Sequence, residues 1–122
     1  MSKKVKATGD CYEVAGRFAL NRVEEINGQI FNGEPFVVHA EVTGQGPIEG
    51  VRFGHAWVED DYFIYDYSND LRLIFPKVLY YSIGKVKEKA PSYYKYSFGE
   101  ANKKMVETGK FGPWDLITVS GL

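Results

Sequence analysis

The sequence predicts an α+β domain in which an N-terminal helix packs against a small antiparallel sheet, with one or two further helices near the C-terminus. Three observations lead there. Apolar residues recur at spacings of three and four soon after the N-terminus, two runs rich in β-branched and aromatic residues follow, and a two-residue link joins the second run to a third. With 122 residues the chain suits one ordinary domain, 1–122, and is too short for two separate cores.

The first helix is expected from Cys11 to Ile26, because Val14, Ala15, Phe18, Ala19, Val23 and Ile26 keep helical spacing and Asn27-Gly28 ends it. Asp10 and Glu13 stand at capping-box spacing, which sets Cys11 at the first helical position. Strands are expected at Phe36 to Val42, Val51 to Glu59 and Tyr62 to Tyr67. Between the first two, Thr43 to Gly50 (TGQGPIEG) reads as a Gly- and Pro-containing loop with two roles open to it, flanking a binding cleft or, more simply, connecting the strands. The last two strands form a hairpin turning at Asp60-Asp61. Phe75 to Ile83 reads as a short helix with Pro76 in its first turn and Gly84 at its end, and Tyr93 to Tyr96 as a further strand. Ser97 and Glu100 form a second capping box, opening a helix that stops at Gly109. The tail from Phe111 to Trp114 is expected to pack back onto the domain.

Composition narrows the function. Fifteen basic and sixteen acidic residues nearly cancel. The Lys3, Lys4, Lys6 and Lys85, Lys87, Lys89 clusters read as solvated surface, so nucleic acid is not an expected partner. No apolar stretch approaches the roughly 18 residues of a membrane span, and no apolar segment follows the N-terminal charges, so neither membrane nor export is expected. A single cysteine leaves no partner for an internal disulfide, which suits a reducing, cytoplasmic compartment with the thiol free.

That thiol is the first candidate for chemistry. A helix N-terminus favours the thiolate, and its unpaired N–H groups suit an oxyanion. A lone cysteine is otherwise an inert buried residue. His55 and Asp66 supply the context. With Asp60 and Asp61 as turn residues, Glu59 faces Tyr62, Trp57 faces Ile64 and His55 faces Asp66. Directly opposed residues share one face of the sheet with Cβ atoms about 4.5–5.5 Å apart, so the Asp66 carboxylate can orient the imidazole while the other nitrogen takes a thiol proton. A slip of one residue would separate the two. His39, the other histidine, has no carboxylate placed by a short turn and reads as structural. Tyr80, Tyr81, Tyr93, Tyr94 and Trp114 read as core and stand outside the candidate site.

Gly9-Asp10-Cys11-Tyr12-Glu13-Val14-Ala15 resembles the transglutaminase-like pattern in which Gly-x-Cys opens the nucleophile helix. His55-Ala56-Trp57-Val58-Glu59 is similar to that family's His-Ala-Trp-Val-Glu strand, and Asp66 matches its strand-borne Asp; Tyr67-Ser68 departs from the Pro-Thr that often follows. The resemblance implies a papain-like, transglutaminase-like fold and a Cys11, His55, Asp66 triad acting on a peptide, protein or small amide. It also implies acyl chemistry through a thioester, which needs no metal or organic cofactor. Water as acceptor gives a protease or amidase, and an amine gives transglutaminase-type transfer. Two alternatives remain: a catalytically inactive module binding a peptide or small molecule, and an acyltransferase resembling arylamine acetyltransferases. Oligomeric state is not legible.

Overall fold

A computed structural model describes residues 10–26 and 28–117; the Lys3, Lys4 and Lys6 cluster and Asn27 fall outside them. The first helix, α1, is Cys11–Leu20, not the longer span to Ile26. Arg22 takes a left-handed conformation, φ 50. Its N–H donates to Ala19 O and that of Val23 to Phe18 O, each at 3.1 Å. This pair of bonds closes a helix, usually around a glycine. Val23 then packs on the core from beyond the helix end, so its spacing mimics a further turn. Two short strands follow, β1 (Glu25–Ile26) and β2 (Gln29–Ile30), with Ile26 paired to Gln29. Gly28, at φ 76, therefore lies between two paired strands instead of at a helix end.

The first capping box is not formed. Asp10 stands at the N-cap of α1, but its carboxylate accepts from the Asn69 N–H at 2.9 and 3.2 Å, and Glu13 pairs with Arg17 at 2.8 Å. Asp10 thus ties the start of α1 to a 3-10 turn at Ser68–Asp70.

Five strands build one antiparallel sheet: β3 (Phe36–Thr43), β4 (Arg52–Glu59), β5 (Phe63–Asp66), β6 (Leu73–Pro76) and β7 (Tyr93–Ser97). Their order is β6-β5-β4-β3-β7. Helices α2 (Lys77–Ile83) and α3 (Phe98–Thr108) complete a mixed α+β fold. The expected helix from Phe75 begins two residues later, because Phe75 pairs with Ile64 and Pro76 with Phe63 along an edge strand. An edge tolerates a residue that has no N–H to give. The second capping box is present: Ser97 Oγ accepts from Glu100 N–H at 3.0 Å, and Glu100 accepts from Ser97 N–H at 2.8 Å. Gly109, at φ 72, ends α3.

Alternation along the strands sorts side chains onto two faces. Val37, Ala56, Val58, Tyr65 and Tyr96 pack with Cys11, Ala15, Ala19 of α1 and Ala101 of α3. On the other face Val38, Ala40, Val42, Trp57 and Ile64 meet Tyr80 and Tyr81 of α2. The C-terminal tail packs back as expected, with Phe111 under the Arg17 guanidinium and Trp114 against His39. No helix among the described residues is long and apolar enough to cross a membrane.

The β4–β5 hairpin differs from the expected register by two residues: Glu59 pairs with Ile64, not Tyr62, and Val58 with Tyr65. Asp60 is the cause. Instead of occupying the turn it is buried at the end of the ladder, where its N–H donates to Phe63 O at 3.0 Å. Its carboxylate accepts from the N–H groups of Tyr62 and Phe63, from the backbone and amide side chain of Asn32, and from the Tyr65 hydroxyl. The turn moves to Asp61-Tyr62. Gly33 permits the approach of the neighbouring loop, since it sits at φ 84 and a Cβ there would run into the Asp61 carboxylate.

Burial alone would raise the Asp60 pKa, but the donors from Asn32, Tyr65, Phe63 and Tyr62 outweigh it and hold the carboxyl below its ordinary 3.8. A depressed carboxylate stabilises the fold above its unfolded pKa and ceases to do so as pH falls through the lower folded value. Asp60→Ala is therefore expected to cost roughly 3 kcal/mol at neutral pH, because the carboxylate accepts from charge-assisted donors that lose their acceptor. Denaturant unfolding should show the gap between wild type and variant narrowing as pH drops below 3.8. A pH-independent gap would show that the carboxylate charge is not what holds the turn.

Candidate active site

The site forms where the sheet opens. Strand β5 ends at Asp66 while β4 extends back to Arg52. Beyond Asp66 the chain leaves the sheet for the Ser68–Asp70 turn, and the N-terminus of α1 comes in beside it, held by the Asp10–Asn69 bonds. Cys11, the first residue of α1, thereby lies among Ala56, Trp57, Tyr65, Asp66 and Tyr67.

Cys11, His55 and Asp66, the three residues selected from the sequence, come together here. His55 Nε2 lies 2.7 Å from Asp66 Oδ2. The Cys11 side chain is the other group close enough to raise the His55 pKa, and with Nε2 taken by Asp66 the ring nitrogen left for it is Nδ1. The His55–Asp66 pair is reached by a different route from the one expected. In the observed register the two are diagonal neighbours, not directly opposed, yet still on one face, because a shift of two residues preserves the side-chain direction that a shift of one inverts.

Electrostatics hold the group in one arrangement. Burial works against a charge on His55, but the hydrogen bonds to Asp66 and Cys11 and the charges of both outweigh it and raise its pKa. Burial also works against the Asp66 carboxylate, and there the His55 bond and charge, with donors from Ser68, lower the pKa. Asp66 Oδ1 accepts from the Ser68 N–H at 3.1 Å and its hydroxyl at 2.6 Å; the Tyr80 hydroxyl donates to Oδ2 at 3.3 Å. Both carboxylate oxygens are thus engaged, and the carboxylate cannot rotate away from His55 without losing a donor.

Ser68 and Tyr80 were not selected from the sequence. Ser68 carries a local signal, since a carboxylate that accepts the N–H two residues on makes an Asx-turn. Tyr80, read as core, reaches the site only because β6 runs beside β5 and returns the chain through α2, which no local pattern announces. Burial, the Asp66 charge, the bond to Asp66 and the Cys11 charge all raise its hydroxyl pKa. Tyr81 and Tyr93 bond to one another at 2.9 Å, and Tyr81 donates to the buried Glu59 at 2.6 Å. Tyr94 and Trp114 are partly buried and pack against the core.

The Thr43-to-Gly50 loop is more than a connection. Thr43, Gly44, Gln45 and Ile48 help line an open cavity of about 280 Å³ that reaches His55 and Tyr80. Among the described residues no three His, Cys, Asp or Glu side chains are grouped to hold a metal ion.

His39 is structural in its surroundings. It is fully buried between Tyr12, Tyr96 and Trp114, with neither ring nitrogen hydrogen-bonded among the described residues. Gly112 closes over it at φ 134, where a Cβ would lie 2.7 Å from the His39 Cε1.

No protein-family model matches the chain, and neither a curated protein nor a solved structure matches it.

The two histidines are expected to titrate on opposite sides of the ordinary 6.5. Burial lowers His39 to about 3 against a small opposing effect of the Asp115 charge, while His55 is raised. The unfolded chain binds a proton at His39 near 6.5 and the folded chain does not until about 3, so this residue withdraws stability as pH falls across that window. Ring Cε1–H resonances followed by NMR should show one histidine neutral well below 6.5 and one charged above it, with Asp66→Asn moving only the latter downward. Two histidines titrating together near 6.5 would contradict both environments.

Proposed function

We propose that the chain is a cysteine-dependent acyl enzyme of the papain-like, transglutaminase-like type, with Cys11 as nucleophile, His55 as general base and acid, and Asp66 as the residue that orients the ring. The observation that carries this reading is the His55–Asp66 pair, with Oδ2 at 2.7 Å from Nε2, beside which Cys11, the first residue of a helix, is buried next to Asp66. A carboxylate on one ring nitrogen selects the tautomer in which the other accepts a proton.

The Cys11 proton passes to His55 Nδ1, and Sγ attacks the carbonyl carbon of an amide. The negative oxygen that develops is stabilised by N–H groups at the start of α1, whose N-cap side chain is turned towards Asn69 and makes no cap bond. His55 returns the proton to the leaving amine as the C–N bond breaks, leaving an acyl thioester on Cys11. Water activated by His55 then releases a carboxylic acid, or an amine takes the acyl group, and the thiol is regenerated. The raised pKa of His55 favours the charged ring that faces the sulfur and donates to the leaving group.

A second reading, a papain-like binding module without turnover, draws on the burial of Cys11, which is only 9% exposed. Iodoacetamide alkylation of wild type, His55→Ala and Asp66→Asn across pH separates the two. On the enzymatic reading wild type labels at a pH where an ordinary thiol is slow, His55→Ala labels at least about 10-fold more slowly there, and both variants remain folded by circular dichroism. Equal rates in wild type and His55→Ala would remove the triad and leave the binding module.

A further inference from the structure

Resting on the acyl-enzyme reading, we infer that the cavity of about 280 Å³ beside His55 is a recognition site for one uncharged apolar group of the acyl donor, of aromatic or branched aliphatic size. Its volume lies just under the ~300–1,000 Å³ that houses a whole drug-sized ligand, which suits a single side group. Val42, Ile48, Phe53, Leu73, Phe75 and Ile83 supply the apolar half of the lining residues.

The polar groups around it are already engaged. Thr43 N–H donates to Gly84 O at 2.7 Å, Gly44 N–H to Val51 O at 2.7 Å and Gly84 N–H to Tyr80 O at 2.9 Å. Gln45 Nε2 bridges Thr43 O and Ile83 O, tying the loop to the end of α2. Arg52, the nearby cation, is consumed by Thr43 Oγ1, the Gly84 and Lys85 carbonyls and Glu41. Among the described residues no carboxylate or ammonium lines the cavity. A charged ligand group would therefore lose its hydration without a partner, while an apolar one loses nothing. His55 and Tyr80, both bonded to Asp66, line one part of the cavity, so a group seated here lies beside the base of the proposed triad.

The test uses p-nitrophenyl esters. Sulfur attack forms the Cys11 thioester, expels p-nitrophenolate and leaves the thiol proton on His55, so the burst of nitrophenolate and the mass of acylated protein report the same step. The phenylacetate ester should acylate Cys11 at least about 10-fold faster than the acetate, beyond their intrinsic difference with free cysteine, and the negatively charged hemisuccinate slower than either. Ile48 and Ile83 are 43% and 48% exposed, so Ile48→Asp and Ile83→Asp leave the core intact. Each should lower the phenylacetate-to-acetate ratio at least about fivefold, by the same loss of apolar contact. A ratio that matches free cysteine, or one that neither variant changes, overturns the inference. A separate arm titrates phenylacetamide into Cys11→Ala and follows the methyl signals of Ile48 and Ile83. Saturable shifts there, with no ester acylating wild type, would sink the enzymatic reading and keep the recognition site. Rapid acylation without such shifts would do the reverse.

Discussion

The buried carboxylate of Asp60 collects hydrogen bonds from Asn32, Tyr62, Phe63 and Tyr65, and the position of the whole site follows from it. A desolvated carboxylate is tolerable only when its oxygens are saturated by donors, and the donors here come from both sides of one turn and from a separate loop. Moving Asp60 into the turn would expose it and strand those donors. The hairpin therefore turns one residue later, which sets Glu59 opposite Ile64 and places Asp66 diagonally across from His55.

Its neighbour Glu59 is equally buried but points to the opposite face, as adjacent strand residues must. There it accepts from the Trp57 indole at 3.0 Å and the Tyr81 hydroxyl, and meets the ammonium groups of Lys77 and Lys95. One hairpin end is thus pinned on both faces. Since β4 carries Trp57 and His55 along from that fixed point, the ring of His55 arrives with its direction already decided. At the other end of β5, Asp66 repeats the same device with Ser68, Tyr80 and His55 as donors. Each buried carboxylate is satisfied by segments distant in sequence, so breaking one of these clusters loosens more than one element.

Much of this was legible in local pattern. The β-branched runs marked β3 and β4, and Ser97 with Glu100 marked the start of α3, because alternation and capping are short-range effects. Other signals were outweighed. Asp10 had cap spacing, yet its carboxylate went to Asn69, a partner nearly sixty residues away. Val23 and Ile26 kept helical spacing, yet Arg22 closed the helix in a conformation that glycine usually supplies. Leu73 to Pro76 read partly as a helix start because nothing local shows that an edge position beside β5 is available.

The sequence by itself determined the chemistry on offer: one thiol at the start of a helix, a histidine, His55, on a strand, and an aspartate, Asp66, on the next strand with matching parity. Parity survives an error of two residues in register because side chains alternate with period two, so His55 and Asp66 share a face in either case. Only the tertiary structure decided which diagonal they meet on, that Ser68 and Tyr80 complete the carboxylate's bonds, and that the Thr43-to-Gly50 loop walls an apolar cavity. Those outcomes depend on where separate segments can satisfy one another's buried polar groups, a condition on the packed molecule that no local stretch of sequence contains.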